Sequence, residues 1–169
     1  VNPFILWKFQ ERAILDRPET TGREGLLWSI ENNKSAVIEK SRELGASWLI
    51  LFVEDWLCMF HEYTQCLNVS RSADAVDHKS PDSLFWKLRY IHENLPDWLK
   101  GEILEEKMYH GYSRTKAANT GQASTGMAGV GGRATLVNID EFSKIKEATE
   151  VRQFTANTAD ARIFTGTHM

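Results

Sequence analysis

Apolar positions in this chain fall into runs of two kinds. The first kind has helical spacing. Residues 4–15, FILWKFQERAIL, mix apolar and polar positions in that way. The stretch from Ala46, ASWLILFVEDWLCMFHEY, is apolar nearly all round at its start, the pattern of a buried helix. SLFWKLRYIHENL, 83–95, is amphipathic, and PDWLKG ends it. SKIKEATEVRQFTANT, 143–158, also reads as a helix.

The second kind is short and bounded by turn residues, as strands are. SAVIEK (35–40) reads as a short buried strand, followed by a glycine-containing turn. QCLNVSR (65–71), ATLVNIDEF (134–142) and ARIFTGT (161–167) are three more. Residues 102–118 fit a hairpin, SADAVDHKSPDS (72–83) is polar and turn-rich, and NTGQASTGMAGVGGR (119–133) reads as a loop. Strands alternating with helices predict an α/β fold, a mainly parallel sheet flanked by helices.

Composition narrows this picture. A chain of 169 residues suits one domain, and 42% hydrophobic with 25% charged residues is ordinary for a globular protein. The net charge of −3 argues against a self-sufficient DNA-binding module. A local basic patch, or DNA contacts shared among subunits, remains open. Cys58 and Cys66 form no C-x-x-C, so neither a disulfide framework nor a zinc site is expected, and the default is free thiols in a reducing compartment. The five histidines are scattered with no pair at metal-ligand spacing, so no metal cage is expected from them. No signal peptide is visible, and the longest apolar run, WLILFV, is too short to span a bilayer. The chain opens VNPF without a methionine and stops after FTGTHM, which reads as a fragment of something longer.

Candidate chemistry lies at strand ends. TLVNIDEF delivers Asp140 and Glu141 at the carboxyl end of an apolar strand, the sheet edge where α/β proteins bind ligands. In a nucleotide hydrolase the first acid holds Mg²⁺ and the second polarises the attacking water. As simple structure, such a pair caps the next helix.

Upstream, EKSRELGASW has the strand–turn–helix context of a phosphate loop. The usual loop is G-x-x-x-x-G-K-[ST]. Gly45 and Ser47 fit; Ala46 stands where lysine belongs, and Lys40 stands in the first glycine's place. Backbone N–H groups at a helix start hold phosphate without a particular side chain. The candidate cradle is therefore Lys40, Ser41, Arg42, Glu43, Leu44, Gly45, Ala46 and Ser47, with Ser47 also a Mg²⁺ ligand. Lys40 is placed to bring its ammonium to the phosphates from the other end of the loop, and Arg42 to add to it or substitute. The plain alternative is a corner with both cations solvated.

Three further pieces complete the set. Thr165 and Thr167, after the last strand, are placed to sense a γ-phosphate or to link nucleotide state to motion; otherwise they are turn chemistry. Gln10, with Phe9 or Trp7, can read an adenine edge while an aromatic ring packs on its face; otherwise this is an ordinary helix. Arg133, after a glycine-rich approach, is a candidate arginine finger, in cis or across a subunit boundary; otherwise it is a solvated loop cation. Arg71 is a candidate phosphate sensor, DNA contact or surface charge.

These motifs together resemble the ATPase domain of the large terminase subunit, the DNA-packaging motor of tailed bacteriophages. FQERAIL resembles the family's adenine-binding segment, KSRELGAS its variant phosphate loop, LVNIDEF its magnesium and catalytic-glutamate motif, and FTGT its coupling motif. CLNVSRSADAVD, SLFWKLRYIHENLPDWLK and TGMAGVGGRATLVNIDEF extend the resemblance over most of the chain.

The resemblance implies a P-loop NTPase fold of the RecA-like, additional-strand class, occupying 1–169 as a single ATPase domain. It implies ATP and Mg²⁺, with Lys40, Gly45 and Ser47 on phosphate and metal, Asp140 on the metal and Glu141 activating water. Thr165 and Thr167 would couple hydrolysis to movement, and Arg133 is the finger candidate. Expected partners are double-stranded DNA, the portal protein, the small terminase subunit and further copies in a ring on the portal. The expected setting is the host cytoplasm, docked on the procapsid, with no membrane. The family's C-terminal nuclease domain has no room here, so no nuclease activity is expected.

Two other readings stay open. A helicase-like ATPase shares the glutamine segment and the D-E pair, but normally keeps lysine at position 46. A degenerate, non-hydrolysing nucleotide-binding module would explain Ala46, but has no use for Glu141.

Overall fold

The computed structural model describes residues 6–40, 44–124, 132–159 and 161–167. Seven strands form one sheet in the order β1-β7-β6-β2-β5-β4-β3. These are β1 (Ala36–Lys40), β2 (Gln65–Ser70), β3 (Ile103–Glu106), β4 (Tyr109–Tyr112), β5 (Ala117–Ala123), β6 (Leu136–Ile139) and β7 (Ala161–Thr167). The pairs from β1 through β5 are parallel, and β4 and β3 continue the sheet antiparallel. The helices are α1 (Lys8–Leu15), α2 (Pro18–Thr21), α3 (Leu26–Glu31), α4 (Ala46–Phe60), α5 (Ala73–Val76), α6 (Leu84–Glu93) and α7 (Ala148–Ala156). Among the described residues, no helix is long and apolar enough to cross a membrane.

The sheet order sets the site. β7 lies between β1, which leads into the loop, and β6, which carries the acids. That inserted strand is the mark of the additional-strand class. All three strands run parallel, so their carboxyl ends meet on one edge. The long helix α4 packs its apolar side into a core with Cys66, Leu136, Ala161 and Ile163 from the sheet.

Several expectations change. SAVIEK is an edge strand rather than a buried one: β1 pairs with β7 alone, and Val37 is 80% exposed. Residues 119–123 belong to β5, not to a loop. Their small side chains carry little strand propensity, but Gly121 lets α5 and α6 approach; a Cβ there would sit 2.5 Å from Val76 and 2.9 Å from Phe85. The helix expected over 143–158 is instead a 3₁₀ turn, Phe142–Lys144, and then α7. α2 and α3 fill a stretch that carried no assignment. The hairpin at 102–118 forms, as β3 and β4. Cys58 and Cys66 are free and buried, as expected.

A line of buried amides crosses the sheet beneath α4. Asn138 Nδ2 donates to Asn68 Oδ1 at 2.9 Å, and Asn68 Nδ2 donates to Glu54 Oε2 at 2.8 Å. Glu54, wholly buried on α4, has its carboxyl pushed up to about 8 by desolvation, against the hydrogen bonds of Asn68 and Asn138. Among the described residues, Glu54 Oε1 and Asn138 Oδ1 are buried oxygens that meet no donor at hydrogen-bonding geometry. Protonation removes the charge that burial penalises on Glu54.

This makes stability depend on pH. The unfolded carboxyl titrates near 4.5 and the folded one near 8, so the native state binds the extra proton between them. Stability is full below 4.5, falls as pH rises to about 8 and is level above that, a loss on the order of a few kcal/mol. Glu54→Gln keeps a neutral amide in place. In urea unfolding it should be more stable than the parent at pH 8, with the gap closing by pH 4.5. An equal gap at both pH values would refute a neutral Glu54.

Candidate functional site

The loop meets α4 at Gly45, the N-cap residue, with φ 71° and ψ 18°. That left-handed conformation strains any residue with a Cβ, and a Cβ here would also lie 3.2 Å from Gln10 Nε2. Beyond Gly45 the first turn of α4 presents backbone N–H groups with no helical acceptor. Ala46 and Ser47 are buried at this turn.

Side chains from three elements converge on Asp140, at the carboxyl end of β6. Ser47 Oγ donates to Asp140 Oδ1 at 3.0 Å, and Thr165 Oγ1 donates to the same oxygen at 2.8 Å. Lys40 Nζ donates to Ser47 Oγ at 3.2 Å and lies 3.9 Å from Asp140 Oδ1. The lysine at the loop's start thus reaches both Ser47 and Asp140. Thr165 serves both acids, because its Oγ1 also accepts from the Glu141 backbone N–H at 3.2 Å.

Glu141 has φ 52° and ψ 41°, a left-handed conformation that is uncommon for a residue with a side chain and recurs at functional sites. Its carboxylate lies 2.8 Å from Lys144 Nζ and 3.5 Å from Arg71 Nε. Burial pushes this carboxyl up, but the Lys144 hydrogen bond and the charges of Lys144, Arg71 and Lys40 outweigh it and hold it below the usual range. Lys87 of α6 also feels this site. Burial lowers its ammonium; Asp140 opposes that shift and Lys40 adds to it. Four cations therefore act on two carboxylates, a balance that leaves room for a polyanion.

The remaining candidates sort by position. Gln10 Oε1 accepts from the Trp7 backbone N–H at 3.0 Å, and its Nε2 donates to Leu44 O at 3.1 Å, tying α1 to the loop. Phe9 and Trp7 pack edge to face at 5.5 Å and stay exposed, so an aromatic surface stands beside the loop. Thr167 pairs with Lys40 across β1 and β7. Ser41, Arg42 and Glu43 lie outside the described residues.

Arg133 is exposed and precedes β6, whereas the acids follow it. The four residues of β6 alone span roughly 13 Å, which puts Arg133 at the opposite edge of the sheet. A finger acting in cis does not fit this position; a reach across a subunit boundary, or a solvated loop cation, does. Lys144 and Lys87 escaped the sequence reading. Lys144 had a signal, lying three residues after Glu141. Lys87 had none, because the packing of α6 decides where it points.

The chain matches no family model, and no curated protein matches it. Two solved structures match at the level of fold. The HK97 bacteriophage large terminase aligns with a TM-score of 0.67 and 14% identity, over 97% of this chain and 33% of its own. The large terminase of a thermophilic bacteriophage aligns with a TM-score of 0.64 and 12% identity, over 95% of this chain and 38% of its own. The fold is thus that of P-loop, RecA-like NTPases. Within that class it is the fold found in these large terminases, and the chain spans about a third of their length.

The loop conformation is testable. Gly45→Ala should cost on the order of 1–2 kcal/mol in urea unfolding, and Gly45→Asn less, since asparagine tolerates the left-handed region. Equal stability of the alanine variant and the parent would contradict the loop geometry.

Proposed function

We propose that this chain is the ATP-hydrolysing motor domain of a large terminase subunit, driving double-stranded DNA into procapsids. The observation that carries this reading is the convergence of Lys40, Ser47 and Thr165 on Asp140 beside a strained Glu141. The likeness of fold to the two phage terminases supports it.

The donor set fits Mg²⁺, which takes hard oxygen ligands: the Asp140 carboxylate and the Ser47 hydroxyl face each other at 3.0 Å. Bound there, the ion supplies charge neutralisation at the β- and γ-phosphate oxygens. The chain's own groups do the rest. The N–H groups after Gly45 cradle phosphate, with the α4 dipole favouring its charge. Lys40 brings its ammonium to the same oxygens. Glu141, kept ionised, orients and polarises the attacking water. Gln10 holds the loop against α1, where Phe9 or Trp7 offers a face to adenine. Thr165 joins both acids to β7, so a change at the phosphate edge pulls on that strand, and Thr167 extends the link.

Arg133 acts on a neighbouring copy's site in a ring assembled on the portal protein. The small terminase subunit and DNA complete the assembly, in the host cytoplasm and docked on the procapsid.

Lys40→Ala should abolish single-turnover ATP hydrolysis, by roughly a hundredfold or more, while Arg42→Ala should hurt less. An unchanged rate in Lys40→Ala would sink the assignment of the loop lysine. Glu141→Gln should bind ATP and leave it intact; retained turnover would place the water-activating group elsewhere. A parent chain that binds ATP yet never hydrolyses it, even concentrated enough to assemble, would favour the non-hydrolysing module instead.

A further inference from the structure

A second cluster lies away from the loop, where α4, α6 and β4 meet. Asp55 of α4, His92 of α6 and His110 of β4 are each at most 5% exposed. One ligand atom from each lies within 4.8 Å of the other two. Among the described residues, Nε2 of His92 and Nε2 of His110, both buried, find no partner. An unmet buried nitrogen costs about 1–3 kcal/mol, so an unmet one within this cluster calls for an occupant.

The surroundings say what kind. His110 Nδ1 contacts Glu105, whose carboxylate is held by Arg89 Nε at 2.8 Å. His92 Nδ1 lies 3.0 Å from Asp55 Oδ1, which also accepts from the Tyr112 hydroxyl at 2.6 Å. His110, whose Nδ1 is taken by Glu105, presents its unmet Nε2, and a carboxylate on the far nitrogen is the usual outer partner of metal-bound imidazole. Asp55 Oδ1 and His92 Nδ1, 3.0 Å apart, stand at the spacing of two ligands on one ion, and a cation between them replaces the proton they share.

We propose that Asp55, His92 and His110 bind a divalent transition metal, zinc by ligand type, independent of the nucleotide site. Nitrogen and carboxylate ligands suit Zn²⁺. Tetrahedral bonds of about 2 Å hold ligand atoms about 3.3 Å apart. Small side-chain shifts close the present spacing to that, and the Tyr112 hydroxyl, 2.6 Å from Asp55 Oδ1, stands near the fourth position. Such a metal pins the helix that carries the phosphate loop to α6 and to the antiparallel part of the sheet. The ligands are 37 and 18 residues apart on three elements, so no local spacing in the sequence announces them.

The test uses the full chain, untagged and stripped with EDTA. Zn²⁺ is titrated in, and Co²⁺ is added as a spectroscopic probe. The parent should take up one zinc per chain, melt higher with zinc than without, and give tetrahedral Co²⁺ absorption. His110→Gln and His92→Gln, checked for folding by circular dichroism, should each lose the bound zinc and the Co²⁺ bands. Glu105→Gln should weaken zinc about 10–100-fold through the outer shell. His61→Ala, His78→Ala and Asp140→Asn should keep it, the last separating this site from the phosphate edge. A parent that binds no zinc overturns the proposal. So does zinc that survives in whichever histidine variant folds, or that is lost in Asp140→Asn.

Discussion

The site hangs on one oxygen. Asp140 Oδ1 takes hydrogen bonds from Ser47 and Thr165 and the charge of Lys40, and these come from α4, β7 and β1. A carboxylate this far from water is costly unless paired. Its partners can reach it because β7 separates β1 from β6 and all three strands end at the same edge. If β1 and β6 were neighbours, Thr165 would not lie between the loop and the acids. The hydroxyl that serves Asp140 also receives the Glu141 N–H, so the second acid is set by the same arrangement.

α4 ties this edge to the rest of the molecule. Its first turn forms the loop's far side, its middle places Glu54 over the amide line, and Asp55 turns toward α6 and β4. A helix that is apolar nearly all round has no strong rotational preference from burial alone. Ser47, Glu54 and Asp55 each bond to other elements, and together they fix the helix's rotation on the sheet. Buried polar groups of this kind set register because an unmet one is expensive.

Arg89 does similar work on the outer side. It holds Asp77 with two hydrogen bonds of 2.8 and 3.0 Å and Glu105 with a third of 2.8 Å. Burial raises Asp77, but the Arg89 pairing, the Met108 N–H and the nearby cations bring it below its usual range. The hairpin that carries His110 is thus clamped to α6 by charge as well as by the sheet.

The chain's periodicity by itself determined that strands and helices alternate, and where most of them lie. Strand ends were legible because an apolar run that stops at small or charged residues stops there for local reasons. That exposed Asp140, Glu141, Thr165 and the loop, and it allowed Lys40 to be weighed as the displaced lysine. Tertiary structure alone decided the rest. β1 is an edge because strand order, not composition, sets burial. β5 exists because Gly121 lets helices press on a weak strand. Arg133 sits at the far edge because a strand's two ends lie apart, however close their residues are in sequence. Lys87, Glu54 and the Asp55–His92–His110 cluster carry no local spacing, since long-range packing rather than periodicity brings their partners together.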